Sequence, residues 1–260
     1  MSGRRARGAR HEQGLDGEGR AGPTERRQRL IKLGSAAAFL AVVVVAVLIV
    51  VSAGNSGGDP ENVKDASSVS QALDGIPQHG LVLGELDAPV TLFEYGDLQC
   101  PACKGYAEEV LPQIIENQVR DGEAKLSFNN FPIIGPQSTP AGAAAVAAGE
   151  QGRGWHFIEL FYRNQGAENS GYATDRFLTA IARRAGVPDI ARWNEERKSK
   201  RVSERLEWTT FMAEEQGLSG TPSFFVLGPY NNDELRDPVE TTGSAKPLEA
   251  AMAEAAANPG

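Results

Sequence analysis

The stretch VTLFEYGDLQCPAC, Val90 to Cys103, changes character at its middle. Val90 to Tyr95 is a short β-branched and aromatic run with period-2 alternation, which predicts a strand. Beyond Gly96 and Asp97, which read as turn residues, Pro101 opens a segment to Val119 in which Tyr106, Val110, Ile114 and Ile115 recur at helical spacing. Proline at the first helical position costs no hydrogen bond. A second strand is predicted at AKLSFNNF, Ala124 to Phe131, so the order is strand, helix, strand, a parallel pair joined by a crossover.

Both cysteines of the 260-residue chain, Cys100 and Cys103, lie where strand passes into helix. A structural disulfide between them would close so short a loop that it removes little chain entropy. A structural zinc site needs four ligands, and His79 and His156 stand far from the pair in sequence without ligand spacing. Thiol-disulfide exchange suits the local physics better. Cys100 falls at the predicted N-cap, where free N–H groups and the positive end of the helix dipole favour a thiolate, and Cys103 follows one turn later on the same side. On these grounds Cys100 should attack and Cys103 should resolve. Alternation puts Val90, Leu92 and Glu94 on one strand face; in a central strand Glu94 is drawn into apolar surroundings, where a raised pKa would suit it as proton acceptor for Cys103. A strand-end glutamate reaching solvent or a salt bridge is the alternative.

Outward from this centre, the rest of the chain predicts a helical block and a second β segment. Ser138 or Thr139 can cap PAGAAAVAAGEQ, GWHFIELFYRNQ places Trp155, Ile158 and Tyr162 near one face, and Thr174 caps DRFLTAIARRAG, which Gly186 stops. Arg192 to Gln216 reads as one more amphipathic helix or a broken pair. GTPSFFVLG, Gly220 to Gly228, returns to β character, DPVETTG, Asp237 to Gly243, is predicted to add an antiparallel strand, and KPLEAAMAEAAA closes as a helix. The sum is an α/β fold, a small mixed sheet interrupted by an all-helical insertion at about 136–217.

The charges divide the chain. Residues 1–32 carry nine Arg or Lys against four acidic residues, whereas the rest carries 17 basic against 30 acidic. Between these lies LGSAAAFLAVVVVAVLIVVSA, Leu33 to Ala53, with 21 uncharged residues, enough for a helix of about 32 Å. The reading is a disordered basic cytoplasmic tail at 1–32, a single transmembrane signal-anchor helix at 33–53, a flexible linker at 54–80 and a folded domain at 81–260 outside the membrane. A cleaved signal peptide ending near Ala53 is the competing reading, and it exports the domain equally. The basic leader is accounted for by orientation in the membrane, and nucleic acid is not an expected partner.

FEYGDLQCPAC, NNFPIIGPQSTPAGAAAVAAGEQGRGWHFIELFYRNQG and GTPSFFV together resemble the DsbA-like thiol-disulfide oxidoreductases of the membrane-anchored bacterial type, over roughly Leu81 to Ala257. The resemblance implies a thioredoxin-like fold with a helical insertion, Cys100 as nucleophile, Cys103 as resolving thiol and Glu94 as the buried acid. It also implies a cis-proline at Pro222 facing the cysteine pair, preceded by Thr221, whose backbone would pair with a bound substrate. The chain departs from the best known members in having Pro-Ala between the cysteines where they have Pro-His, and in lacking a histidine in GPQSTP. The implied function is a membrane-tethered disulfide oxidase of reduced or unfolded exported proteins, on the outer side of a bacterial cell membrane, reoxidised by a membrane partner of the DsbB or vitamin K epoxide reductase type. No cofactor is called for. A reductase or isomerase of the same fold and a non-catalytic chaperone-like module are the alternatives.

Overall fold

A computed structural model describes residues 62–229, 238–241 and 243–257. Its sheet has five strands, β1 (Gln78–His79), β2 (Val82–Leu83), β3 (Val90–Gly96), β4 (Ala124–Asn130) and β5 (Ser223–Leu227), in the order β1-β2-β4-β3-β5. β3 runs parallel to β4 and antiparallel to β5, so it is covered on both edges, which accounts for its almost uninterrupted burial.

Between β3 and β4 the chain forms α2 (Pro101–Glu109), α3 (Leu111–Ile114) and a π-helical segment (Ile115–Val119). The single helix predicted for 101–119 is therefore broken. Pro112 lies in the first turn of α3, where it has no N–H to continue the α2 ladder. Between β4 and β5 come α4 (Ser138–Gly149), α5 (Gly154–Arg163), α6 (Asp175–Arg184), α7 (Ile190–Glu196) and α8 (Lys200–Glu215). Thr174 caps α6 by accepting from Phe177 N. α4 starts at Ser138, so the cap position falls on Gln137, which makes no side-chain cap, and the Ser138 hydroxyl accepts from Gln99 instead. Arg192 to Gln216 resolves into the broken pair, with Ser199 recapping the chain at α8. α9 (Lys246–Ala257) closes the chain and buries Leu248, Met252 and Ala255.

On one face of the sheet Phe224 meets Tyr106 of α2, ring centres 5.2 Å apart, and Phe128 meets Trp155 and Tyr162 of α5 at 6.4 and 6.5 Å. On the other face Tyr95 and Phe225 pack edge to face at 5.8 Å, beside Ala213 of α8. Each buried ring of this kind contributes on the order of 1.5–3 kcal/mol from removal of apolar surface from water.

Two expectations are corrected. The flexible linker does not reach residue 80, because α1 (Ala66–Ala72) and its C-cap Leu73 bury Val69 and Leu73 in the main core and Asn164, the C-cap of α5, clasps the Lys64 backbone, accepting from its N at 2.8 Å and donating to its O at 3.1 Å. Gly80 is equally bound in: a Cβ on Gly149 or Gly154 would lie 2.7 or 2.5 Å from its carbonyl oxygen, so both positions require glycine for this close approach. The strand predicted at 237–243 is not formed among its described residues, 238–241 and 243, which make one ladder-like bond to β5, Val239 N to Phe224 O at 2.8 Å. Among the described residues no helix is long and apolar enough to cross a membrane. The tail at 1–32, the membrane segment at 33–53 and the first part of the linker lie outside the described residues.

Candidate active site

The end of β3 delivers the chain into a turn pinned by Asp97. Its carboxylate is 1% exposed and accepts three backbone N–H bonds, from Gln99 at 2.8 Å on Oδ1 and from Ile133 and Ile134 at 2.9 and 2.8 Å on Oδ2. The residue read from sequence as a mere turn former thus ties the cysteine loop to the loop after β4. Gln165, at the end of α5, donates to the carbonyls of Leu98 at 2.8 Å and Cys100 at 3.1 Å, and Gln99 donates to the Ser138 hydroxyl at 3.0 Å. The loop is held from three sides before α2 begins.

Cys100 is the N-cap of α2 and Pro101 its first residue. The Cys100 Sγ accepts from Cys103 N at 3.4 Å, the place a Ser or Asp oxygen would take in an ordinary cap. The two sulfurs are not bonded to each other. Across the loop, the carbonyl oxygen of Thr221 lies 3.3 Å from Cys100 Sγ, and the Thr221–Pro222 peptide bond that follows is cis. Two residues 121 apart in sequence therefore face each other, leaving 5% of Cys100 exposed and Cys103 fully covered.

These environments separate the two thiols. The hydrogen bond from the Cys103 side chain, opposed by burial and aided by Thr221 and the backbone N–H groups of Cys103 and Ala102, holds the Cys100 thiol down to about 6. For Cys103 burial dominates, and the bond it gives Cys100 and the nearby Glu94 charge add to it, so its pKa lies well above the usual thiol range. At pH 7 about nine in ten Cys100 thiols would be ionised, against about one in a hundred for an unshifted thiol. Reaction of the reduced protein with iodoacetamide should accordingly follow a single midpoint near pH 6, read by mass spectrometry on Cys100. A midpoint above about 8 would contradict this geometry.

Glu94 lies on β3 opposite Phe128 of β4 and Phe224 of β5, 3% exposed, with neither carboxylate oxygen partnered among the described residues. Burial, reinforced by the charges of Glu159 and Cys100, pushes it up to about 8. It is a buried acid, and the solvent-reaching alternative does not hold. Among the described residues no three His, Cys, Asp or Glu side chains converge as a metal requires; His156 instead pairs with Gln78 at 2.8 Å and Arg153 at 3.3 Å.

The sequence reading omitted Gln99, Gln165 and Glu159, and took Ser138 only as a helix cap. Only Glu159 carried a usable signal. Trp155, Glu159 and Tyr162 follow at intervals of four and three, so the apolar face of α5 contains an acid.

A family model described as Thioredoxin matches residues 77–239. The "Probable disulfide bond formation protein D" of Bacillus cereus is 31% identical over 156 residues, an alignment covering 59% of this chain and 72% of that one. Among solved structures, oxidised BdbD from Bacillus subtilis superposes with a TM-score of 0.59 at 23% identity, covering 69% of this chain and 95% of its own. Wolbachia pipientis alpha-DsbA1 does so with a TM-score of 0.58 at 17% identity, covering 70% and 91%.

Proposed function

Because the chain belongs to the thioredoxin family, as a DsbA-like thiol-disulfide oxidoreductase with the corresponding α/β fold, we propose that it donates a Cys100–Cys103 disulfide to reduced exported proteins. The observation that carries this reading is the pairing of a low-pKa thiol at a helix N-cap, facing the Thr221 carbonyl that precedes the cis-proline Pro222, with a buried, high-pKa partner one turn on. A client thiolate attacks Cys100 Sγ of the disulfide, the Cys100–Cys103 bond breaks and a client–Cys100 bond forms, and the Cys103 thiolate takes a proton from Glu94. A second client thiol, losing its proton, then attacks the client sulfur and expels Cys100 as a thiolate. The two electrons of the client now reside in the Cys100 and Cys103 sulfurs, and a membrane partner of the DsbB or vitamin K epoxide reductase type removes them. Thr221, beside the nucleophile, offers its backbone to the client strand.

The direction follows from the thiolate. A thiol with a depressed folded pKa stabilises the reduced state above its usual pKa, and that stabilisation is lost as the pH falls through about 6. At pH 7 it amounts to about 1.4 kcal/mol, or about 30 mV toward oxidising behaviour. The uncharged segment Leu33–Ala53 and its basic flank support attachment to the bacterial cell membrane with the N-terminus inside and the cysteine pair outside.

Equilibration of the purified protein with glutathione buffers tests the proposal. A potential less negative than about −230 mV is expected of an oxidase, whereas one near the value of about −270 mV typical of thioredoxin would favour a reductase and overturn the direction.

A further inference from the structure

A cavity of about 210 Å³ lies between α1, α3, the π segment and α5, away from the cysteine surface. Its mouth is formed by the exposed Ala72, Pro112 and Glu116, and its floor by Val69, Leu73 and Ile115. Glu159 lines it as well. This carboxyl is 4% exposed; its Oε1 has no partner among the described residues, and its Oε2 accepts only a long bond of 3.5 Å from Arg163 Nη2. A buried carboxylate that is half unpartnered is costly unless a function retains it.

The packing of α5 shows what stands on its other side. Glu94 and Phe128 are direct partners in the parallel β3–β4 register, and the Phe128 ring lies against both Trp155 and Tyr162. Glu159 sits between those two aromatics on the same face of α5, so it is brought over the strand residue that carries the buried acid. We infer that Glu159 is the second carboxyl of a proton relay, passing protons between Glu94 beneath the cysteine pair and water in the cavity at Ala72, Pro112 and Glu116.

The inference rests on the proposed role of Glu94. When Cys103 leaves as a thiolate it takes the Glu94 proton; Glu94 is then an anion sealed from water, and at neutral pH it is reprotonated while the pair is still reduced. Glu159 supplies that proton and recovers one from the cavity, which has room for several waters. During reoxidation the steps run in reverse order: Glu159 gives its proton to water, Glu94 gives its own to Glu159, and the Glu94 carboxylate then takes the proton of Cys103. The two acids suit such transfer, since burial, offset by Arg163 and assisted by Glu108, leaves Glu159 at about 7, close to the value of about 8 at Glu94. The groups facing the pair are Arg163 on α5, Glu108 on α2, Glu116 on the π segment, and Cys100, Cys103 and Tyr162 above Glu94. Acting through Glu94, Glu159 is a positioning residue for the proton.

The test is the pH profile of the rate at which the reduced full-length chain is reoxidised by a small disulfide, followed for wild type, Glu159→Gln and Glu94→Gln. Glu159→Gln is expected to slow reoxidation about tenfold near pH 7, to be rescued by Glu159→Asp or by added imidazole, and to leave the Cys100 alkylation midpoint near pH 6. If Glu159→Gln follows the wild-type profile while Glu94→Gln does not, the relay is wrong and the role of Glu94 stands. If Glu94→Gln also follows it, the role of Glu94 is wrong and the relay falls with it. Should Glu159→Gln not fold, Ala72→Phe, which plugs the exposed mouth of the cavity, decides: a slowed neutral-pH rate supports the relay, an unchanged profile overturns it.

Discussion

Cys100→Ser should lose thiol-oxidising activity by roughly 10³-fold or more while keeping its fold, because the hydroxyl is not ionised at neutral pH and no sulfur remains to form a disulfide. Serine is a favoured N-cap and can accept the Cys103 N–H now bonded to sulfur, so the thermal midpoint should hold and the loss can be assigned to chemistry. The measurement is oxidation of a dithiol peptide; full activity in this variant would sink the assignment of the nucleophile. Cys103→Ala should behave differently, retaining attack but accumulating mixed disulfides on Cys100, visible as adducts on non-reducing gels. The same change removes the largest influence that lowers the Cys100 pKa, the bond donated by the Cys103 side chain. Trapping should therefore be efficient at pH 8 and weak at pH 6, and sequencing the trapped proteins would identify clients and the reoxidising partner together.

Glu94→Gln carries the second large effect, in stability and in rate with opposite signs. The carboxyl is raised in the folded state from its usual range to about 8. Its contribution to stability is thus fully present below about pH 4.5 and is lost as the pH rises through about 8. Near pH 7.5 the loss is on the order of 4 kcal/mol relative to acid pH, and the amide cannot incur it. Denaturant titrations at pH 5 and 7.5 should show wild type losing stability relative to Glu94→Gln by about 3 kcal/mol, the remainder being already lost at pH 5; parallel behaviour would mean that the acid is not buried. Kinetically the amide cannot exchange a proton with Cys103. Reoxidation should slow on the order of 10²-fold near pH 7 and recover toward pH 9 and above, where hydroxide can deprotonate Cys103 directly.

Much of this centre was legible because its determinants are local. The alternation of Val90 to Tyr95, Pro101 at the first helical position and the three-residue spacing of the cysteines fix strand, N-cap and first turn without reference to the rest of the molecule. Of the errors, one arose from a distant contact and one from a local break that the apolar period concealed. Residues 66–80 read as a polar spacer because only Val69, Leu73 and Ile76 among them are strongly apolar, yet those three suffice once α5 supplies a surface and Asn164 a clasp for Lys64. The helix at 101–119 was predicted whole because the apolar period runs through Pro112, and the missing N–H ended it all the same.

By itself the sequence determined the fold class, the strand-helix-strand order around the cysteines and the pair of sulfurs at a helix N-cap, since each depends on residue types within a few positions of one another. The tertiary structure alone decided that Thr221 faces Cys100, that Asp97 and Gln165 hold the cysteine loop, and that Glu94 and Glu159 are both shut away from water. Those facts set the pKa of each group, because ionisation answers to burial and to partners up to 121 residues away, which no local pattern contains.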